Sequence, residues 1–254
     1  MLNFGLIGRR RSDPLAALIR QLFSAGEQGA IYIPRPIVNG TQALFQNAAG
    51  TVPVTADGDP IGKMIDQSGN GNHATQSVSG SRPVYRTNGI LHWLQFNGVN
   101  NFLIVQNNLP LSGDFFTGLA YQLVNETQIP EQGLFSQYVG GAGRYIIRFS
   151  PFRAPGKADI FVSGIDSTPK IDLGKNGSAI ITRDGSLHSM SIGAEQSDLT
   201  IEVDLVDAAL RIGTSTGDSG FLEGNVYSAV FCYRAIAAGE KESLTSYLDS
   251  TRPS

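Results

Sequence analysis

Eleven short apolar or alternating runs follow one another between Leu91 and Ile236, and they constrain the fold more than any other feature of the chain. Each run is bounded by turn-forming residues, and no helical period separates one run from the next. Short strands without intervening helices predict antiparallel pairing, in a two-sheet sandwich or a barrel. The runs lie at 91–97, 102–106, 115–124, 133–139, 144–150, 158–163, 178–183, 186–193, 199–206, 209–214 and 225–236.

Length and composition agree with one large all-β domain. Such a domain reaches about 200–250 residues as a single unit, and this chain has 254 residues with 30 Gly, 41% hydrophobic and 16% charged residues. A formal charge of −3 provides no overall attraction to nucleic acid. No stretch approaches the ~18 consecutive apolar residues that a membrane-spanning helix needs. We therefore predict no nucleic-acid partner and no membrane span.

The lone cysteine and the N-terminus bear on where the chain folds. Cys232 has no second cysteine to pair with, and its apolar neighbours predict a buried thiol. Arg9, Arg10 and Arg11 follow the first apolar residues, and no apolar segment comes before Asp13, so the start does not resemble a signal peptide. We expect synthesis and folding in a cytosol.

Helical patterns occur at the two ends of the chain. One apolar stripe predicts an amphipathic helix capped by Ser12. A helix of about ten residues is marginal by itself in water, so either its own domain or a partner must cover the stripe. We predict a docking arm at 1–26 and a sandwich at 27–254, with packing on the chain's own domain as the alternative, and a second helix at about 238–249. The stripe consists of Leu15, Leu18, Ile19, Leu22 and Phe23.

Two turns are predicted from local composition. Asn97-Gly98 separates two apolar runs and predicts a strand–turn–strand unit. Asp184-Gly185 predicts a tight hairpin in which both residues adopt positive φ angles.

Three carboxylates in the turn-rich stretch 34–90 are the candidate ligands for a cation. Asp57, Asp59 and Asp66 lie among Asn side chains and free carbonyls, which are the oxygen ligands that calcium prefers. Their spacing matches no compact calcium-binding loop. A role in turn structure is therefore the favoured interpretation, a glycan- or calcium-binding loop is the alternative, and no other cofactor is predicted.

Three segments, 66–74, 94–105 and 221–236, followed by a helix that contains Tyr247-Leu248, resemble LamG-like, concanavalin A-type jelly-roll domains over about residues 27–250. They are most similar to the versions in structural proteins of tailed bacteriophages. The resemblance implies a jelly roll of two antiparallel sheets. It further implies a non-enzymatic virion protein, made in the host cytoplasm, that serves in capsid decoration or in the tail. Other virion proteins and further copies of this chain are the expected partners, and binding of a host-surface glycan is the alternative function.

One segment is similar to the catalytic strand of concanavalin A-type glucanases. Alternation projects Glu202 and Asp204 from one face, as retaining hydrolysis by two carboxyl groups requires. Asp207 stands where that strand has its last Glu, and its shorter side chain would not reach the leaving group. Leu205-Val206 also breaks the alternation. We therefore predict no catalytic residues, and a glycoside hydrolase that uses Glu202 and Asp204 is the weaker alternative.

Aromatic and imidazole side chains provide two further hypotheses. Trp93 is the single tryptophan, and its apolar neighbours favour burial between the sheets over stacking on a sugar. His73, His92 and His188 are scattered, without the spacing of a metal site.

Overall fold

Two α-helices, one short 3₁₀ helix (Ser79–Ser81) and twenty strands are present in the computed structural model, which describes residues 13–124, 131–138, 144–149, 157–162, 165–166, 171–172, 175–202, 205–216 and 219–254. The α-helices are α1 (Pro14–Phe23) and α2 (Ala238–Thr251). The strands are β1 (Gly29–Tyr32), β2 (Ile37–Val38), β3 (Thr41–Gln42), β4 (Leu44–Phe45), β5 (Lys63–Met64), β6 (Ala74–Thr75), β7 (Val84–Thr87), β8 (His92–Asn97), β9 (Leu103–Leu109), β10 (Phe115–Leu123), β11 (Gln132–Tyr138), β12 (Arg144–Phe149), β13 (Lys157–Val162), β14 (Ile165–Asp166), β15 (Ile171–Asp172), β16 (Asn176–Asp184), β17 (Leu187–Ile192), β18 (Glu195–Thr200), β19 (Ala208–Ile212) and β20 (Glu223–Cys232).

The strands form two large antiparallel sheets and one small hairpin. Sheet I has the order β18-β17-β16-β10-β20-β8-β7, and β1 also pairs with β20. Sheet II has the order β14-β13-β12-β11-β19-β9-β6-β5-β4, and β15 also pairs with β13. Strands β2 and β3 pair only with each other. The predicted all-β, two-sheet jelly-roll sandwich with a short helix near each end is thus confirmed.

The main core lies between the two sheets. Alternate residues of each strand point inward, for example Leu94 and Phe96 from sheet I and Leu103 and Val105 from sheet II. Rings of Phe135 and Phe231 meet edge to face across the core, with centroids 5.3 Å apart. Burial of such side chains is the main favourable contribution to folding.

A second core covers part of the outer face of sheet I. Helices α1 and α2 contact each other, and their apolar sides pack on outward-facing residues of β10, β16 and β20. Leu244 and Leu248 of α2 are fully buried there. Among the described residues, the helices cover mainly the side of sheet I at β10, β16 and β20, and no described α-helix lies over the rest of this face, toward β8 and β7.

Most predicted runs coincide with strands, but the run at 199–206 does not. Strand β18 lies earlier, at Glu195–Thr200. Its hydrogen-bonding partner β17 begins at Leu187, directly opposite Thr200. The next residue, Ile201, donates its N–H to the carbonyl of Ser186 in the turn before β17 at 2.9 Å, and among the described residues the ladder ends there.

The segment around Asn97-Gly98 runs strand, turn, strand, as predicted, but it connects the two sheets and does not form a hairpin. Strand β8 belongs to sheet I and β9 to sheet II, so they do not pair. The Asn97 carboxamide oxygen accepts hydrogen bonds from the N–H groups of Val99 at 3.0 Å and Asn100 at 3.1 Å. This side chain thus bends the backbone from one sheet into the other.

Two details of local structure also differ from prediction. The hairpin between β16 and β17 turns at Gly185-Ser186, because Asp184 pairs with Leu187 in the ladder. Gly185 alone has a positive φ, 57°, as a type II′ turn requires. Helix α1 is capped by Asp13, whose carboxylate accepts a hydrogen bond from the N–H of Leu15 at 3.0 Å. The predicted cap, Ser12, lies outside the described residues.

No described helix is long and apolar enough to cross a membrane. The Cys232 thiol is buried, as predicted, and burial raises its pKa to about 12.

Candidate functional site

The apolar stripe predicted as a docking arm lies on α1 and faces the chain's own domain. The alternative, packing on that domain, is therefore what the structure shows for these side chains. A docking role for residues 1–26 as a whole stays a prediction. The buried members of the stripe are Leu15, Leu18, Leu22 and Phe23, and Ile19 is partly buried beside them.

Asp66 holds the Gly/Asn-rich loop from inside. Its carboxylate accepts hydrogen bonds from the N–H groups of Ile31, Ser68 and Asn72 at 3.0, 2.8 and 3.1 Å. The Ser68 hydroxyl donates a fourth hydrogen bond at 2.8 Å. Both oxygens are thus engaged by protein donors, and the side chain is only 5% exposed. The role of Asp66 here is to tie the loop to β1.

Asp59 stabilises its own turn, whereas Asp57 binds strand β7. Asp59 accepts a hydrogen bond from the N–H of Thr55 at 2.8 Å. The N–H of Thr87 and then the guanidinium of Arg86, 3.1 Å away, lower the pKa of Asp57. In the described part of the chain no three His, Cys, Asp or Glu side chains converge. The structure therefore does not bring the three predicted carboxylates together around one point.

The proposed catalytic pair is only half described. Glu202 is exposed and follows β18, and Asp204 lies outside the described residues. Asp207 accepts a hydrogen bond from the N–H of Leu111 at 3.1 Å, which joins two loops. Catalysis by Glu202 and Asp204 therefore stays a hypothesis without geometric support.

Trp93 lies on the outer face of sheet I, so the prediction that it is buried between the sheets is wrong. Its neighbours along β8, Leu94 and Phe96, face the inter-sheet core, and alternation turns Trp93 outward. The ring is partly exposed and packs 5.8 Å from the ring of Tyr227 on β20, at an interplanar angle of 42°. Trp93 packs against the second core, of which Tyr227 is a buried member, so this aromatic pair lies where the helix-covered part of the face meets the open part.

Four carboxamide side chains continue this face across four neighbouring strands. Asn176 on β16 lies opposite Gln122 on β10, which lies opposite Asn225 on β20, which lies opposite Gln95 on β8. Because directly opposite residues of paired strands project to the same side, they form a continuous row, called here the amide row. The result is a row of uncharged hydrogen-bond donors and acceptors beside two aromatic rings.

Hydrogen bonds hold the centre and the edge of the amide row. The Asn225 side-chain N–H₂ donates to the Gln122 carboxamide oxygen at 2.8 Å, and the Tyr227 hydroxyl donates to the same oxygen at 3.1 Å. At the edge, Arg86 Nε donates to the Gln95 carboxamide oxygen at 2.9 Å. These contacts fix the orientations of three of the four carboxamides before any ligand arrives.

Two side-chain oxygens of the amide row have no hydrogen-bond partner among the described residues. The side-chain oxygens of Asn225 and Asn176 are buried and accept no hydrogen bond from the described residues. Asn225 as a whole is only 8% exposed. Buried polar atoms without a partner are uncommon and cost about 1–3 kcal/mol each. These two oxygens lie beneath the surface of the row, which Gln95, Gln122 and Asn176 expose in part.

A cavity of about 210 Å³, called here the helix pocket, adjoins the aromatic pair. It lies between the first turn of α1, the last turn of α2, the β2–β3 hairpin and the start of β8. The hairpin turns at Asn39-Gly40, where both residues have positive φ angles of 51° and 78°. Tyr227 lines the pocket and also pairs with Trp93, so the two features share a wall.

Polar groups of both signs line the helix pocket. Arg35 and Asp13 face it, and among the described residues Arg35 forms no ion pair or side-chain hydrogen bond. Burial raises the pKa of Tyr247 to about 12, with Arg35 opposing and Asp13 adding to the rise. Burial, then Arg35, lowers the pKa of His92, whose Nδ1 lies 2.7 Å from the Tyr85 hydroxyl.

Sequence reasoning missed the amide row entirely and misplaced Trp93. The alternation of Leu94 and Phe96 was sufficient to turn Trp93 and Gln95 to the opposite face. The other members of the row, at positions 122, 176 and 225, are brought together only by long-range strand pairing.

The chain matches no protein-family model and no curated protein sequence. It does resemble solved structures. A GH54 α-L-arabinofuranosidase has a TM-score of 0.64 at 12% identity, with 92% of this chain and 64% of that chain covered. Domain 4 of AbnA, a GH43 extracellular arabinanase from Geobacillus stearothermophilus, in complex with arabinotriose, has a TM-score of 0.57 at 17% identity, with 71% and 91% covered.

The binding domain of botulinum neurotoxin serotype D is a further structural neighbour, with a TM-score of 0.58 at 9% identity and 93% and 52% of the two chains covered. The chain thus spans less than two thirds of the length of both the arabinofuranosidase and the toxin domain. At these identities the likeness shows the fold, an all-β sandwich that is also found in carbohydrate-active and carbohydrate-binding proteins.

Proposed function

We propose that this chain is a non-enzymatic, glycan-binding β-sandwich. The observation that carries the proposal is the partly exposed amide row beside the Trp93–Tyr227 pair. Each sugar hydroxyl is both a donor and an acceptor, and each carboxamide offers both functions without a charge. The C–H face of a sugar ring packs on an aromatic ring in the same way as other apolar groups do.

The position of the row suits an extended ligand. Strands of a sheet lie about 4.8 Å apart, so four side chains on adjacent strands span about 14 Å. A chain of two or three sugar units has a comparable length. Preformed hydrogen bonds at Gln122 and Gln95 reduce the entropy lost on binding, because those side chains are already ordered.

Structural neighbours support the same class of ligand. The AbnA domain is in complex with arabinotriose, and the GH54 enzyme was soaked with an arabinofuranoside. These are properties of those proteins, and they serve here to choose the first probes. Arabinotriose, arabinan and sialyllactose form a reasonable starting panel, together with polysaccharides from bacterial surfaces.

Fluorescence of Trp93 tests the proposal directly, because it is the chain's single tryptophan. A bound glycan should change its emission saturably, and isothermal titration calorimetry should give the same Kd. Trp93→Ala and Gln122→Ala should each weaken binding at least tenfold in calorimetry. Gln106→Ala, an exposed residue of β9 in the other sheet, is the matched control. An unchanged glycan affinity in both Trp93→Ala and Gln122→Ala would refute the site.

The absence of catalysis is part of the same proposal. Incubation with the panel should release no reducing sugar. Release that disappears in Glu202→Gln would instead establish the hydrolase alternative.

A role in a tailed-phage virion is the proposed biological setting, and it is supported by the resemblance of segments 66–74, 94–105 and 221–236. In that setting the domain would be displayed by a particle, in capsid decoration or in the tail, and repeated copies would raise avidity for a surface glycan. Immunogold labelling of intact particles tests this setting. A chain that is never incorporated into particles would exclude it without affecting the glycan-binding proposal.

A further inference from the structure

The helix pocket is too small for an oligosaccharide. Its volume of about 210 Å³ lies below the roughly 300–1,000 Å³ of pockets that enclose drug-sized ligands. It therefore has room for one sugar ring. Walls from α1, α2, the β2–β3 hairpin and β8 surround it, and Tyr227 connects it to the aromatic pair.

The rings around the helix pocket are held in place by the fold. Tyr227 is buried and its hydroxyl donates to Gln122. His92 stacks on Tyr85, with ring centroids 5.9 Å apart, and is held by the Tyr85 hydroxyl. The imidazole Nε2 has no hydrogen-bond partner among the described residues. Rigid rings with unengaged polar atoms are suited to a small polar ligand.

Arg35 is presented on a rigid backbone. It stands between Pro34 and Pro36, whose rings restrict the backbone on both sides. Its own N–H donates to the carbonyl of Ile33 at 2.8 Å. The guanidinium is exposed and influences the pKa values of His92 and Tyr247, so it lies near both.

The charges of the helix pocket balance. Arg35 supplies a cation and Asp13 an anion. Both charges affect the pKa of Tyr247, so both lie near its hydroxyl. One Asp13 oxygen also caps α1. An acidic sugar would gain from Arg35 but would be repelled by Asp13, whereas a neutral ring can donate hydroxyl protons to Asp13 and accept from Arg35.

On the basis of the proposed function, we propose that the helix pocket binds the terminal, neutral sugar unit of the glycan, while inner units lie across Trp93 and the amide row. Residues of both helices and of the β2–β3 hairpin wall the pocket, and in this proposal the glycan chain ends there. The domain therefore recognises chain ends and not only internal segments.

The chain contains three histidines, and His92 is the one that lines the helix pocket. His188 lies in the main core and His73 lies in the 66–74 loop, so both serve as internal references. Imidazole NMR signals of the full chain are recorded during titration with methyl glycosides of arabinofuranose, glucose, galactose and mannose, and with glucuronic acid. The expected result is a saturable shift of the His92 signals with at least one neutral glycoside, without a shift with glucuronic acid.

Variants assign the response to the pocket. Arg35→Met and Tyr247→Phe should weaken neutral-glycoside binding about tenfold, the effect of losing roughly 1.4 kcal/mol. Arg20→Met is the matched control, because Arg20 is exposed near the end of α1 and is not part of the pocket.

Trp93 fluorescence separates the two proposals. If oligosaccharides change the emission of Trp93 while no probe or oligosaccharide shifts His92, the glycan binds on the open face and the chain-end inference is overturned. A stronger His92 response to glucuronic acid would overturn the neutral assignment. If neither Trp93 nor His92 responds to any member of the panel, the proposed function fails, and the inference fails with it.

Discussion

His188 makes this protein sensitive to acid, and the size of the effect follows from its surroundings. The side chain lies on β17, is fully buried, and neither ring nitrogen has a hydrogen-bond partner among the described residues. Its ring packs 5.5 Å from that of Tyr145. Burial, and then the positive charge of Arg183 directly opposite on β16, lower the pKa of His188 to about 4.

The sign of the pH dependence follows from proton linkage. The unfolded chain binds the His188 proton with a pKa of about 6.5, and the folded chain binds it only near 4. Between these values the unfolded state holds more protons, so the free energy of unfolding decreases as the pH falls. A difference of about 2.5 units at about 1.36 kcal/mol per unit corresponds to a loss of about 3 kcal/mol. Stability from this group is fully present above pH ~6.5.

Urea unfolding of the wild type and of His188→Leu, measured at several pH values from 7.5 to 4, isolates the effect. Leu has a similar volume and does not titrate, so the difference in unfolding free energy should shift by about 3 kcal/mol in favour of the variant as the pH falls. Other titrating groups contribute equally to both proteins and cancel. A difference that stays constant within about 0.5 kcal/mol over this range would refute the reasoning.

Three substitutions test the packing that supports the site. Leu22→Ala, in the second core, should lower the free energy of unfolding measured in urea by about 2–5 kcal/mol. Leu187→Ala, at an exposed position, should lower it much less. Equal losses of unfolding free energy would contradict the packing of α1 on the domain. Asp66→Ala should lower the free energy of unfolding by about 2–4 kcal/mol, because three backbone N–H groups lose their acceptor. Asp184→Ala, at an exposed position, is the control and should lower it much less. Gly213→Ala should lower the Tm by at least about 4 °C, because Gly213 has a φ of +87° and the new Cβ would lie 2.4 Å from the Phe96 ring. Gly113→Ala, which has open space around it, should leave the Tm unchanged. An unchanged Tm in both variants would contradict the described backbone at Gly213.

Local patterns predicted the strands well, because apolar or alternating runs bounded by turn-forming residues indicate strands whether one face or both faces are buried. The run at 115–124 became β10 and the run at 225–236 became β20 with boundaries shifted by a few residues. The run at 199–206 failed because the length of a strand depends on its neighbour. Strand β17 begins at Leu187, and no local signal in 199–206 contains that information.

Local patterns could not predict the candidate site, because its members are distant in the chain. Gln122 and Asn225 meet through the pairing of β10 with β20, which includes a register shift after Ala120. Such a shift changes which residues face outward, and alternation within one strand does not reveal it. Local sequence could predict only the orientation of Trp93 and Gln95. These residues alternate with the apolar residues 94 and 96, which face the core, so they must face outward.

Tyr227 explains why the helices matter for the proposed function. Its ring packs in the second core beneath α1 and α2, and its hydroxyl orients Gln122 in the amide row. Loosening of α1 would therefore free this ring and, with it, the centre of the row. The same ring forms a wall of the helix pocket, so a glycan that occupies both features would resist separation of the helices from sheet I. The stripe on α1 that the sequence suggested for docking belongs to the same core cluster as Tyr227, so under the proposed function it would support binding by holding that ring in place.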